Sequence, residues 1–112
     1  MVILVINNYA LEEDLPRIKK IEEVLNKGGK FEVPIWRFSE IESKEIPRDL
    51  EAIVLSGSRA HLEKQGSSSE YDAEIDLIMK SDVPILGICF GHQLIGRAFG
   101  SDIGLAGDRR LL

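Results

Sequence analysis

Residues 2–6 read Val-Ile-Leu-Val-Ile, an apolar and mostly β-branched run with no alternation. A strand with one wet face alternates apolar and polar side chains. An unbroken run belongs inside a parallel sheet that is covered on both faces. That requirement governs how the rest of the chain is read.

Asn7-Asn8-Tyr9 breaks the first strand with turn-favouring residues. Asp14 as cap and Pro16 in the first turn open a helix whose inward stripe is Leu15, Ile18, Ile21 and Leu25, and Gly28-Gly29 ends it. Phe31 to Phe38 is a second strand, less purely apolar and so nearer an edge. Ser39 to Arg48 is a polar connection. Ala52-Ile53-Val54-Leu55 is a third buried strand that ends in Ser56-Gly57-Ser58, and a long loop, Arg59 to Ser69, follows. Tyr71, Ile75, Ile78 and Met79 mark the next helix, and Val83 to Ile88 is a fourth buried strand. Phe90 to Phe99 is a helix with Leu94, Ile95, Ala98 and Phe99 facing the core. The order βαβ, then βαβα, predicts an α/β fold with a doubly wound, mainly parallel sheet and right-handed crossovers. Leu105 to Leu112 is loop-like, and doubly wound domains continue past a fourth strand. The expectation is therefore one partial domain over residues 1–112, incomplete at its C-terminal end. The sheet edge beside the fourth strand would be open to self-association, which a strictly monomeric profile in sizing and scattering would contradict.

Composition narrows the function classes. The 112 residues carry a formal charge of −5 with basic and acidic residues mixed, which argues against a nucleic-acid or anionic-membrane surface. No apolar run is long enough to span a bilayer, and residues 1–6 are too short and lack the basic leader of a signal peptide. A single cysteine excludes an intrachain disulfide, and no Cys/His cluster has zinc spacing. A reducing, cytoplasmic setting follows as the expectation.

The chemistry lies in Leu86-Gly87-Ile88-Cys89-Phe90-Gly91-His92-Gln93. A Gly-x-Cys-x-Gly pattern at a strand-to-helix turn is the context of a nucleophile elbow. Gly87 and Gly91 let the two backbones approach closely. The turn holds the sulfur at the carboxyl end of the sheet, where ligands bind in this fold class. It also sets the sulfur near the positive end of the following helix, which favours the thiolate, and aims the Phe90 N–H at an oxyanion position. Two glycines flank a given cysteine by chance in about 0.5% of cases, at about 7% glycine per position. The bland alternative is that Cys89 is a small buried hydrophobe. The glycine spacing and the strand-turn-helix context favour the nucleophile.

Pro84 to Ile95 closely resembles the nucleophile motif of the class I, triad-type glutamine amidotransferases. Ile53-Val54-Leu55-Ser56-Gly57-Ser58 resembles that family's oxyanion strand, and Ile3 to Tyr9 is similar to the start of the glutaminase subunits of GMP synthetases. The resemblance implies a flavodoxin-like fold and a glutaminase reaction through a cysteine thioester. Ammonia would pass to a synthetase domain or subunit, with GMP synthesis the pathway that the opening residues favour, and no metal or organic cofactor is implied. By motif match Cys89 is the nucleophile. The backbone N–H groups of Phe90 and Ser58 form the oxyanion hole, and Gln93 and Gly57 bind substrate. Where the family has glycine then proline, this chain has Ser58 and Arg59, which puts loop shape in question. Arg59 either faces the substrate carboxylate or is a solvated loop residue.

The family's general base is a histidine two residues from a glutamate, on a segment after the nucleophile helix, and residues 1–112 contain no such segment. His92 belongs to the Gly-His-Gln motif and supports the turn. His61, with Glu63 nearby, reads as an exposed loop residue. The isolated chain is therefore expected to show little or no turnover. Two further readings stand beside the glutaminase one. The first is a non-catalytic binding or regulatory module on the same fold, and the second is a cysteine hydrolase using His61 as base.

Overall fold

In the computed structural model, residues 1–58 and 71–100 are described. Four strands form one sheet: β1 (Val2–Asn7), β2 (Ile35–Arg37), β3 (Leu50–Leu55) and β4 (Ile85–Gly87). The helices are α1 (Leu15–Leu25), α2 (Asp72–Lys80) and α3 (Phe90–Ala98). Short 3-10 segments cover Glu12–Asp14 and Phe38–Ser43. All pairings are parallel and the strand order is β2-β1-β3-β4.

The unbroken apolar runs are explained by what lies on each face. Side chains alternate along a strand, so Ile3 and Val5 of β1 point one way with Val54, where Ile21 and Leu25 of α1 pack on them. Leu4, Ile6, Ile53 and Leu55 point the other way. There they meet Ile41 of the 3-10 segment, Ile78 of α2, and Phe90, Leu94 and Ile95 of α3. The sheet is thus covered on both sides, in the flavodoxin-like manner expected of a doubly wound domain.

Several sequence expectations need correction. The second strand is only three residues long, because Pro34 has no N–H to give the ladder. Upstream of it, Glu32 still bridges to Val2. The fourth strand also begins after a proline, Pro84, and stops at Gly87 rather than Ile88. It is not buried throughout: it is outermost among the described strands, and Leu86 is 56% exposed. The polar connection after Phe38 contains a 3-10 segment, opened by the Arg37 N–H donating to Glu40 Oε1 at 2.7 Å. Asp14 precedes α1 without a side-chain capping bond. It is buried and pairs with Arg17 Nε at 3.4 Å. Phe99, expected to face the core, is 62% exposed. No helix among the described residues is long and apolar enough to cross a membrane.

Candidate active site

The strand order fixes where a ligand would sit. β2 lies on one side of β1 and β3 on the other, so chain direction across the sheet switches between β1 and β3. In open α/β sheets the crevice at the carboxyl ends of the strands, at such a switch point, is the binding region. Three segments emerge there: Asn8-Tyr9 after β1, Ser56-Gly57-Ser58 after β3, and Ile88-Cys89 after β4.

Cys89 is exposed and has φ 49° and ψ −103°. It is the one positive-φ residue other than glycine among the described residues. Such a conformation costs an L-residue on the order of 1–3 kcal/mol and persists only where its surroundings enforce it. The enforcement is visible on both sides. The Ile88 N–H donates to Leu55 O at 2.9 Å, tying the end of β4 to β3. The Gly91 N–H donates to Ile88 O at 2.9 Å and the Gln93 N–H to Cys89 O at 3.1 Å, which starts α3 at once. Phe90 anchors that start from inside, 1% exposed, its ring 4.9 Å from Tyr71. As the first residue of α3, Phe90 holds one of the backbone N–H groups that a helix start leaves without an intrahelical acceptor.

The two glycines around Cys89 leave no room for side chains. A Cβ on Gly87 would lie 2.6 Å from the Gly91 carbonyl carbon and the His92 nitrogen. One on Gly91 would lie 2.5 Å from Leu55 O. Both obstacles are backbone, so neither can swing away. Gly57 is different in kind. Its Cβ would meet Tyr9 Oη at 2.9 Å and the Cys89 Cβ at 3.7 Å, which places Gly57, Tyr9 and Cys89 against one another. The Tyr9 ring is flanked by the Arg17 guanidinium, 5.9 Å from its centroid. Ser58 follows Gly57 and is half-buried. Gln93 sits one helical turn after Cys89, its Oε1 buried without a hydrogen-bond partner among the described residues. His92 is half-buried on α3. Arg59, His61 and Glu63 lie outside the described residues.

Sequence reasoning missed a polar cluster behind this crevice. Asn8, Ser56 and Glu74 are all buried. The Asn8 N–H donates to Ser56 Oγ (2.8 Å), and Asn8 Nδ2 donates to Ser56 O (3.0 Å) and to Glu74 Oε2 (2.9 Å). Ser56 Oγ donates to Gly57 O (2.9 Å). Burial pushes the Glu74 carboxyl up to about 8, opposed in part by the Asn8 bond. The available signal was periodicity. Glu74 lies three residues after Tyr71 and four before Ile78, on the inward stripe of α2, where a carboxylate is out of place.

The family described as glutamine amidotransferase class-I matches residues 17–110. A glutamine-hydrolyzing GMP synthase subunit of Methanococcus aeolicus is 35% identical over 74% of this chain and 48% of its own length. The protein of the same description from Methanobrevibacter smithii is 36% identical over 92% of this chain and 47% of its own. A third, from Pyrococcus abyssi, is 36% identical over 72% and 48%. The chain spans about half the length of the curated relatives it matches.

Proposed function

The chain belongs to the class-I glutamine amidotransferases, and from that premise we propose that Cys89 is the nucleophile of a glutaminase reaction. The observation that carries this reading is the strained, exposed Cys89 at the β4–α3 bend, with the Gly57 backbone packed beside it. A residue held at that backbone cost, at the carboxyl end of the sheet, is what a presented nucleophile requires.

In the proposed reaction the Cys89 sulfur attacks the side-chain amide carbon of glutamine and forms a C–S bond. The carbonyl electrons move to oxygen, and the backbone N–H groups of Phe90 and Ser58 receive that oxyanion. Collapse of the intermediate breaks the C–N bond. The nitrogen takes up a proton and leaves as ammonia. Water then attacks the thioester, the C–S bond breaks, glutamate departs and the thiolate returns. Gln93 and Gly57 line the substrate position. The proton carrier is assigned to a histidine paired with a glutamate outside residues 1–112. A synthetase subunit or domain takes the ammonia, and the naming of the relatives as GMP synthase subunits supports GMP synthesis as the use made of it. The cytoplasm suits a single catalytic thiol.

An electrophilic glutamine analogue, 6-diazo-5-oxo-L-norleucine, tests the assignment. Peptide mass spectrometry is expected to find it on Cys89, with glutamine protecting and Cys89→Ser abolishing the label. Labelling that glutamine does not slow would make this a thiol without a glutamine site, and the assignment would fall.

A further inference from the structure

The Asn8–Ser56–Glu74 cluster is sealed from solvent, at 1%, 0% and 0% exposure, and the proposed reaction uses none of its side chains. A buried carboxyl group with one hydrogen bond is costly to keep, and an apolar side chain on α2 would fill the same space without that penalty. What the cluster does is visible in its connectivity. Glu74 Oε2 accepts from Asn8 Nδ2, and Asn8 holds Ser56 by two bonds. The Ser56 hydroxyl then donates to Gly57 O, beside Cys89. The line runs from a helix, through the end of β1, into the turn after β3. We propose that Glu74 is a positioning residue that acts through Asn8 and Ser56 to hold the Ser56–Ser58 turn against Cys89.

The two unpartnered atoms in the cluster fit this role. Glu74 Oε1 and Asn8 Oδ1 are both buried acceptors without a partner among the described residues. A protonated Glu74 carries no charge into this sealed site, where an ionised carboxylate would have only the Asn8 amide as a partner among the described residues. Its carboxyl is held up to about 8 by burial, so it stays neutral at pH 7. Ionisation above that puts an unpaired charge behind the turn. The titratable groups on elements packed against α2 are Glu40 and Glu42 of the 3-10 segment, Glu51 of β3, and His92 and Arg97 of α3. Tyr9 and Cys89 lie at the strand ends, and Asp72, Asp76 and Lys80 on α2 itself. Asn8 is the group hydrogen-bonded to Glu74 among the described residues.

Cys89 is the single cysteine of these 112 residues, so its alkylation by iodoacetamide, followed peptide by peptide in the full chain, reports on the turn. This readout does not need glutamine and stands even if the glutaminase reading fails. The rate is measured against pH for the unaltered protein and for Glu74→Gln, which keeps an acceptor for Asn8 but cannot ionise. The quantity read is the ratio of the two rates at each pH. The ratio is expected to be flat at low pH and to step near pH 8, where Glu74 ionises. A ratio flat across the whole range, or a Glu74→Gln protein that does not fold, overturns the proposal. A second readout rests on the glutaminase reading. Measured with the histidine–glutamate pair present, in the full-length protein, Glu74→Ala should lower kcat for glutamine about tenfold or more with KM little changed, the scale of a small misplacement, and Glu74→Gln should restore it. Equal kcat values in Glu74→Ala and the unaltered protein overturn it as well.

Discussion

At Cys89 the backbone pays for position, and the neighbouring glycines are what make that conformation possible. Their roles differ by what surrounds them. A methyl at Gly91 meets Leu55 O at 2.5 Å and the Leu55 Cβ at 2.7 Å, inside a strand that is hydrogen-bonded on both sides. A methyl at Gly57 meets the far end of the Tyr9 side chain, which can rotate. Gly91→Ala should therefore destabilise the fold by about 1–3 kcal/mol or more, as overpacking does, while Gly57→Ala costs clearly less. Urea unfolding of the two variants checks the order, and equal losses would contradict the geometry. The glycine spacing around Cys89 was readable because it is a short local pattern with a steric cause. The contact of Gly57 with Tyr9 and Cys89 joins residues 9, 57 and 89, and no local pattern carries it.

Among the elements, the strands were legible because both faces of a parallel sheet select apolar residues, as in Val2–Ile6 and Ile53–Leu55. Their lengths were not, since Pro34 and Pro84 trim β2 and β4 through a missing donor rather than through polarity. α2 was found by its stripe, yet Glu74 on that stripe was passed over, because its partner Asn8 is 66 residues away. That misplaced carboxyl has a thermodynamic signature. Its folded value, about 8, lies above the ordinary 4.5. Between those values the folded chain keeps a proton that the unfolded chain has released, so this group's contribution to stability falls as pH rises from 4.5 to 8 and levels off above. The size is on the order of a few kcal/mol. The stability difference between Glu74→Gln and the unaltered protein should widen in favour of the variant across that window. A difference that is independent of pH would show that the carboxyl is ionised throughout.

On the scale of the whole molecule, the sheet brings Gly57, Ser58, Cys89 and Phe90 to one end, and the family assignment covers residues 17–110. The relatives are about twice as long as this chain, and the proton carrier has been assigned outside residues 1–112. In the proposed reaction, binding and first attack fall to Cys89 and the turns around it, whereas turnover also needs the histidine and glutamate assigned outside these residues. Acid quenching of the full-length protein during glutamine hydrolysis, followed by peptide mass spectrometry, separates the nucleophile from everything else. A γ-glutamyl group on Cys89, absent from Cys89→Ala, is the predicted result. Glutamine hydrolysis that continues in Cys89→Ala, or a γ-glutamyl group found on any other residue, would contradict it.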